Sequence, residues 1–275
     1  MSKLLRADFT RLKTDRYFRT AIIGMAAYGI FVSLIQYRNS VKYGVSINLE
    51  YVFFQGYMPI GVILAAFCSL FTGAEYSDGT IRNKLVVGCR RSEIYLSGFL
   101  TCAAAGLMMN FSYMVISAAS GIPLFGFFEI SPVKAAVLVL NGSAMTIAYA
   151  ALFTLLAMLN QNKTLVAIIS IIATFIGTFL AIFLLTRIGQ PEMTEGSTFT
   201  AGTETTVQYI PNPLYLDDAQ REIYQFAADV LPTGQGLQIS AARATHLWQM
   251  PLYSIILTIG AASAGIHFFK RKDLK

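Results

Sequence analysis

Residues Phe71 to Leu85 read FTGAEYSDGTIRNKL, and long apolar runs lie on both sides of them. Glu75, Asp78, Arg82 and Lys84 cannot sit in hydrocarbon without a cost of roughly 2.5–3.5 kcal/mol each on insertion scales. The stretch is therefore expected to emerge at a membrane surface as a charged island between two membrane-spanning segments. Asp78-Gly79-Thr80 is turn chemistry leading into a helix-compatible run, and Gly79 suits a position that needs a positive φ. Arg82, Asn83, Lys84, Arg90 and Arg91 make the island basic. A short basic loop between two spans belongs on the cytoplasmic side.

The string Phe71-x-Gly73-x-Glu75-Tyr76-x-x-Gly79-Thr80-Ile81-Arg82-Asn83-x-Leu85, followed by Gly88, Arg91 and Ile94-Tyr95, closely resembles the permease subunits of bacterial type-2 ABC exporters. The resemblance implies that residues 72–93 form the coupling loop that docks on a separate ATPase chain. Gly73, Glu75, Tyr76, Asp78, Gly79, Thr80, Ile81, Arg82, Asn83 and Lys84 would be its ATPase-coupling residues. It also implies two permease units, identical in a homodimer, and two ATPase units around a shared path. The implied cargo is amphipathic: an antimicrobial or cytolytic peptide first, a hydrophobic drug or lipid-like molecule second. ATP and Mg would belong to the partner, with no cofactor in this chain.

Composition sets the class independently. Of 275 residues 55% are hydrophobic and 13% charged, about half the charged fraction usual in a soluble domain. The expectation is an all-α integral membrane protein of a single transmembrane domain, 1–275, without a large soluble catalytic part. Six apolar stretches approach the ~20 residues a bilayer crossing needs: Ala21–Gln36, Gln55–Phe71, Ile94–Ser120, Val133–Leu159, Leu165–Leu185 and Trp248–Phe269. The first is the shortest and needs its flanks; the third and fourth exceed the minimum, which implies tilt or extension.

Residues 1–20 form a basic amphipathic segment, with Leu5, Phe9 and Leu12 at helical spacing among Lys3, Arg6, Arg11, Lys13, Arg16 and Arg19. A cytoplasmic helix lying in the headgroup region fits that pattern, as membrane anchor or as a second contact for the ATPase. No small-residue cleavage site follows, so the segment reads as retained. With both ends inside, 15 of the 21 Lys and Arg fall on the inner side, and only Arg38, Lys42, Lys134, Arg187, Arg221 and Arg243 fall outside. That bias puts both termini on the cytoplasmic side, and the resemblance implies the bacterial cytoplasmic membrane.

Residues 187–247 are the long outer segment. Gly196–Thr206 is rich in Ser, Thr and Gly and reads as flexible. Ile223, Phe226, Ala227 and Val230 then mark an amphipathic helix over Ala219–Val230, capped by Asp217 or Asp218 and ended by Pro232-Thr-Gly234. The Leu231–Gln235 run also resembles the outer loop of these exporters. The segment reads equally as an exit cap, a cargo contact or a structural lid.

No G-x-x-x-x-G-K-[ST] phosphate loop occurs, so ATP hydrolysis is expected in another chain and none in this one. Cys68, Cys89 and Cys102 show neither metal spacing nor a disulfide framework. His246 and His267 lie at opposite ends of the last span, and no metal site or catalytic set assembles. The span interiors look free of ionisable groups and of breaks, which disfavours an ion-coupled carrier. Asn110 and Asn141 are the polar exceptions, either bridging helices or lining a substrate path. Small residues four apart (Cys102/Gly106, Gly142/Thr146/Ala150, Ala261/Gly265) fit close helix packing, within one bundle or between subunits. Nothing suggests nucleic-acid binding. The rival reading is a non-transporting membrane sensor or immunity partner.

Overall fold

A computed structural model describes residues 1–197 and 207–272; the expected flexible stretch and Lys275 lie wholly or mostly outside these. The chain is helical, with α1 (Ser2–Thr14), α2 (Arg16–Tyr43), α3 (Leu49–Phe53), one 3-10 turn (Gln55–Tyr57), α4 (Ile60–Ser77), α5 (Thr80–Val86) and α6 (Arg91–Phe125). Then follow α7 (Pro132–Leu159), α8 (Lys163–Ile188), β1 (Met193–Ser197), β2 (Val207–Pro211), α9 (Asp218–Val230), α10 (Pro232–Ser240) and α11 (Gln249–Arg271). Six segments are long and apolar enough to cross a membrane: α2, the α3–α4 unit Leu49–Ser77, α6, α7, α8 and α11.

The first span extends well beyond the apolar run because its polar flanks continue the helix. Asp15 separates it from α1 in extended geometry and accepts a hydrogen bond from Phe18 N at 2.9 Å, the usual way to satisfy a first-turn donor. Ser131 with Pro132 starts α7, and Asn162 caps α8 through Thr164 N and Leu165 N. At the core, α4 and α7 are the most enclosed spans, and α2, α8 and α11 leave wide apolar faces exposed.

The small residues spaced by four all face inward within this one chain. Gly106 lies against Leu64 and Thr146, Gly142 against the Tyr57 ring, and Gly265 against Tyr95. They thus serve packing inside the bundle, where a bare backbone lets neighbouring helices approach closely.

The second span departs from the expected unbroken run Gln55–Phe71. Its helix stops at Phe53, makes one tight turn, and resumes at Ile60. Gly56 and Pro59 explain the break: Pro59 has no amide hydrogen to continue the ladder. Gly56 gives way to the ring of Tyr113, whose hydroxyl donates to the Val52 carbonyl at 2.6 Å. A neighbouring helix therefore satisfies backbone freed by the break.

Two features on the same side go beyond the expected outer helix. That helix, α9, is capped by Asp217 and ends at Val230 ahead of Pro232, as expected, but Pro232 also opens another helix. It occupies the first turn of α10, where its missing donor costs nothing, and α10 packs against α7, α8 and the 3-10 turn. The run Leu231–Gln235 is thus largely buried; Gly236 comes within reach of the Tyr57 carbonyl and Met145. Before α9, β1 and β2 pair antiparallel, Met193 opposite Pro211, a hairpin that short polar segments did not announce.

One end of the bundle gathers α1, α5, the α7–α8 turn and the end of α11. Lys84 reaches Asp8, Arg91 reaches the Phe269 and Lys270 carbonyls, and Lys272 reaches the Met158 carbonyl. The opposite end holds the α2–α3 and α6–α7 connections, joined through Asn48 and Glu129, with α9 and α10.

Gly142→Ala tests the close approach at the break. Its methyl group would overlap the Tyr57 ring, so we expect a cost of about 1–3 kcal/mol from overpacking. A lowered melting temperature of the detergent-purified protein checks it, and Gly24→Ala, which meets nothing within 4 Å, serves as control.

Candidate functional site

The island around Glu75 is not a loop. It is the last turn of α4, a two-residue turn at Asp78-Gly79, and the short helix α5. Gly79 has φ +67°, as the turn chemistry requires, and a side chain there would be strained although space surrounds it. Gly73, one turn earlier, faces Lys163 at the start of α8 so closely that an added Cβ would collide. Ile81 anchors the underside of α5 in the core.

Glu75 corrects the sequence expectation. Instead of standing at an aqueous surface it is 3% exposed. One carboxylate oxygen, Oε1, accepts from Lys84 Nζ at 2.8 Å and from Arg11 Nη1. Lys84 also donates to Asp8 Oδ1 at 2.8 Å, and Asp8, equally buried, accepts from Ser97 Oγ. Arg11 lies over the Phe71 ring at 3.8 Å and donates to the Phe71 carbonyl. Two acids and two bases from α1, α4 and α5, with a hydroxyl from α6, thus form one neutral cluster. Pairing is what lets these charges be buried; each alone would carry a large desolvation cost.

The cluster also fastens α1, expected as an amphipathic helix at the membrane surface, onto the protein itself. Leu4, Asp8 and Leu12 form the buried face of α1 against protein, chiefly α6. Asp8, Arg11 and Ser97 were not among the residues expected to act here. An acid at i+4 and i−4 from two leucines was the available signal, since an apolar stripe rarely carries a carboxylate without a partner.

The other island residues divide by direction. Tyr76 donates to the Met158 carbonyl and accepts from Lys272 Nζ at 3.0 Å, with that ammonium 4.3 Å from its ring. Burial pushes the Lys272 ammonium pKa down. The Met1 ammonium lies 3.3 Å from Glu93 Oε1 and pairs the chain's first residue with the start of α6. Asp78, Arg82 and Asn83 face outward, Thr80 is half-buried, and Val86 and Val87 are 86% and 83% exposed.

Asn110 and Asn141 do not join this group. Asn110 donates to Thr146 Oγ1 at 2.7 Å, linking α6 to α7, and Asn141 donates to the Leu247 carbonyl at 2.9 Å. Both are buried between elements of the same chain, which is the bridging role. On the opposite face Asp229 is fully buried; it accepts from Gln238 and Gln225, and its Oδ2 lies 2.7 Å from His246 Nδ1. Glu50, whose Oε2 accepts from the Glu129 amide, is buried as well; it sits in the first turn of α3 and Asp229 lies in α9, so neither falls in the middle of a span, where ionisable groups were expected to be absent. Among the described residues no three ligating side chains cluster for a metal.

No family model matches the chain, and neither does any curated protein sequence compared with it.

Breaking the cluster has a definite expected cost. Glu75→Ala leaves Lys84 and Arg11 without their shared acceptor, for which removal of a buried partner costs about 3–5 kcal/mol. Arg82→Glu changes an exposed residue and should leave the melting temperature in detergent within about 1 °C, corresponding to well under 1 kcal/mol. Parallel thermal melts of the two variants check the contrast.

Proposed function

We propose that this chain is the transmembrane permease of an ATP-driven exporter whose ATPase is a separate protein. The observation that carries the reading is α5: a rigid helix held between two spans, with Val86 and Val87 presented outward beside Arg82 and Arg90. Two adjacent exposed valines ringed by cations suit a partner groove with an apolar floor and an acidic rim. The same helix is fastened through Lys84 to α1 and α4 and through Ile81 to the core. Force applied to α5 would therefore reach the spans rather than be lost in a flexible loop.

In this reading α1 and α5 lie on the cytoplasmic side of a bacterial plasma membrane, as the distribution of Lys and Arg favours. Two permeases, identical copies, would enclose the path, and two ATPase copies would bind ATP and Mg. The cargo is an amphipathic peptide moved outward; the absence of a phosphate loop in this sequence supports a separate energy source. The buried carboxylates are paired or hydrogen-bonded, so they do not by themselves favour ion coupling.

Arg82→Glu and Val86→Asp should each reduce co-purification of a phosphate-loop ATPase by about tenfold or more, with expression unchanged, because a like charge or a buried unpaired charge at a docked surface costs several kcal/mol. Quantitative mass spectrometry of the purified complex and cargo-stimulated ATP hydrolysis read the effect; wild-type levels of both in both variants would refute docking through α5.

Orientation is tested separately. With Cys68, Cys89 and Cys102 replaced, a cysteine at Arg82 should react with an impermeant thiol reagent only in inside-out vesicles, and one at Glu222 should react in intact cells. Labelling of the Arg82 position from outside would invert the assignment.

A further inference from the structure

Helix α1 has two unlike faces. Leu4, Asp8 and Leu12 form the one turned into the protein. On the other side Lys3, Arg6, Thr10 and Lys13 follow one another three or four residues apart, and all are exposed. Arg16, exposed as well, carries the positive charge past the Asp15 corner to the head of α2. Among the described residues no acid lies within ion-pair distance of Lys3, Arg6, Lys13 or Arg16. The two acids of this stretch are engaged elsewhere: Asp8 holds Lys84, and Asp15 accepts from the Phe18 amide.

Packing fixes the level of this face. Arg11 donates to the Phe71 carbonyl and to Glu75. Between those two residues Gly73 presses against Lys163, the first residue of α8, whose apolar run begins at Leu165. The middle of α1 is therefore level with the point where a span gives way to polar chain. At its other end α1 turns through Asp15 into α2, whose apolar run begins at Ala21. Arg19 fastens that corner by donating to the Thr14 and Asp15 carbonyls, and Tyr17, 49% exposed, stands beside it. Cations and an exposed tyrosine at the edge of an apolar span are side chains suited to lipid headgroups.

We propose that the outward face of α1, together with Arg16, is a docking surface for anionic phospholipid headgroups, which it selects over zwitterionic ones. The inference stands apart from the exporter reading and does not depend on it.

Charge selects the occupant. The face has a single sign, so a headgroup phosphate with no ammonium of its own is the better match, and a zwitterionic headgroup brings a cation that the same face repels. At 1.5 Å per residue, Lys3 to Lys13 extends about 15 Å, a row along which headgroups lie side by side and not a pocket for one. An acidic protein would match the sign, but it would have to reach the row at a level that lipid already occupies. The opposite face of the same helix carries Asp8, so lipid held on one side would keep α1 seated on α6 and the ion cluster closed on the other.

The test takes the full chain, purified in detergent and stripped of lipid, and titrates it with phosphatidylglycerol or phosphatidylcholine, reading bound lipid by native mass spectrometry. The unaltered chain should retain phosphatidylglycerol about tenfold better or more. The triple variant Lys3→Gln/Arg6→Gln/Lys13→Gln alters only exposed residues and should lose most of that preference, since each cation near an anionic surface contributes about fivefold. The variant Arg38→Gln/Lys42→Gln/Arg243→Gln removes three exposed cations from the opposite end and should keep it. Size-exclusion profiles establish that both are folded. Glycerol phosphate, the headgroup anion without acyl chains, should not displace the lipid at equal concentration. Equal retention of the two lipids by the unaltered chain overturns the proposal, and so does an unchanged preference in the α1 triple variant or an equal loss in both triples. Displacement by glycerol phosphate would make the face a site for a free anion and overturn it too. An α1 triple variant that keeps its lipid but loses a co-purifying protein would make α1 a protein contact instead.

Discussion

The neutral cluster of Asp8, Arg11, Glu75 and Lys84 is the constraint on which the half of the molecule holding α1 and α5 depends. Glu75 and Asp8 share Lys84, and Arg11 closes the set over the Phe71 ring. Asp8 and Glu75 are sealed from water and Lys84 nearly so, while Arg11 reaches the surface, so the two buried acids are tolerable only while the bases stay in place. This makes α1, α4, α5 and α6 one body. It also explains why a helix as short as α5, with seven residues, is ordered at all: isolated helices of that length are not stable in water, and this one is held by an ion pair on one side and by Ile81 beneath.

The opposite half is organised by a different problem, the backbone groups released where the second span breaks. Tyr113 supplies a donor to Val52, Gly56 makes room for that ring, and α10 packs against the turn itself. Gln235 of α10 ties the arrangement to the last span: it donates to the Asp229 and Met250 carbonyls and accepts from Ser254 Oγ at 2.8 Å. The outer segment is therefore built into the bundle rather than draped over it. A displacement of α10 would disturb α7, α8 and α11 together.

Much of this was legible in the residues. Apolar run length located all six spans, and the seventh-residue spacing Ile223/Val230 located α9. The Asp78-Gly79 pair announced a turn with positive φ, found at +67°. The break in the second span was visible as Gly56 and Pro59, yet hydropathy averaged over it. Pro232 was readable as a stop or as a first-turn residue, and local sequence favours neither. Only the packing of α10 among the spans decides that it begins a helix.

By itself the sequence determined that this is a helical protein with six stretches long and apolar enough to cross a membrane and a basic island between the second and third, because hydrophobic length and charge are local properties. Tertiary structure alone decided the fate of the charges. Lys84 pairs with an acid 76 residues away, Arg11 with one 64 residues away, and Asp229 with a histidine across the α9–α11 connection. A carboxylate's burial depends on which partners packing brings to it: Glu75 has Lys84 nine residues on, but Arg11 comes from α1, and that approach is not written in the local sequence. Glu75 and Arg82 stand seven residues apart in the same stretch, yet one is sealed inside and the other faces out, because α1 folds over only one of them.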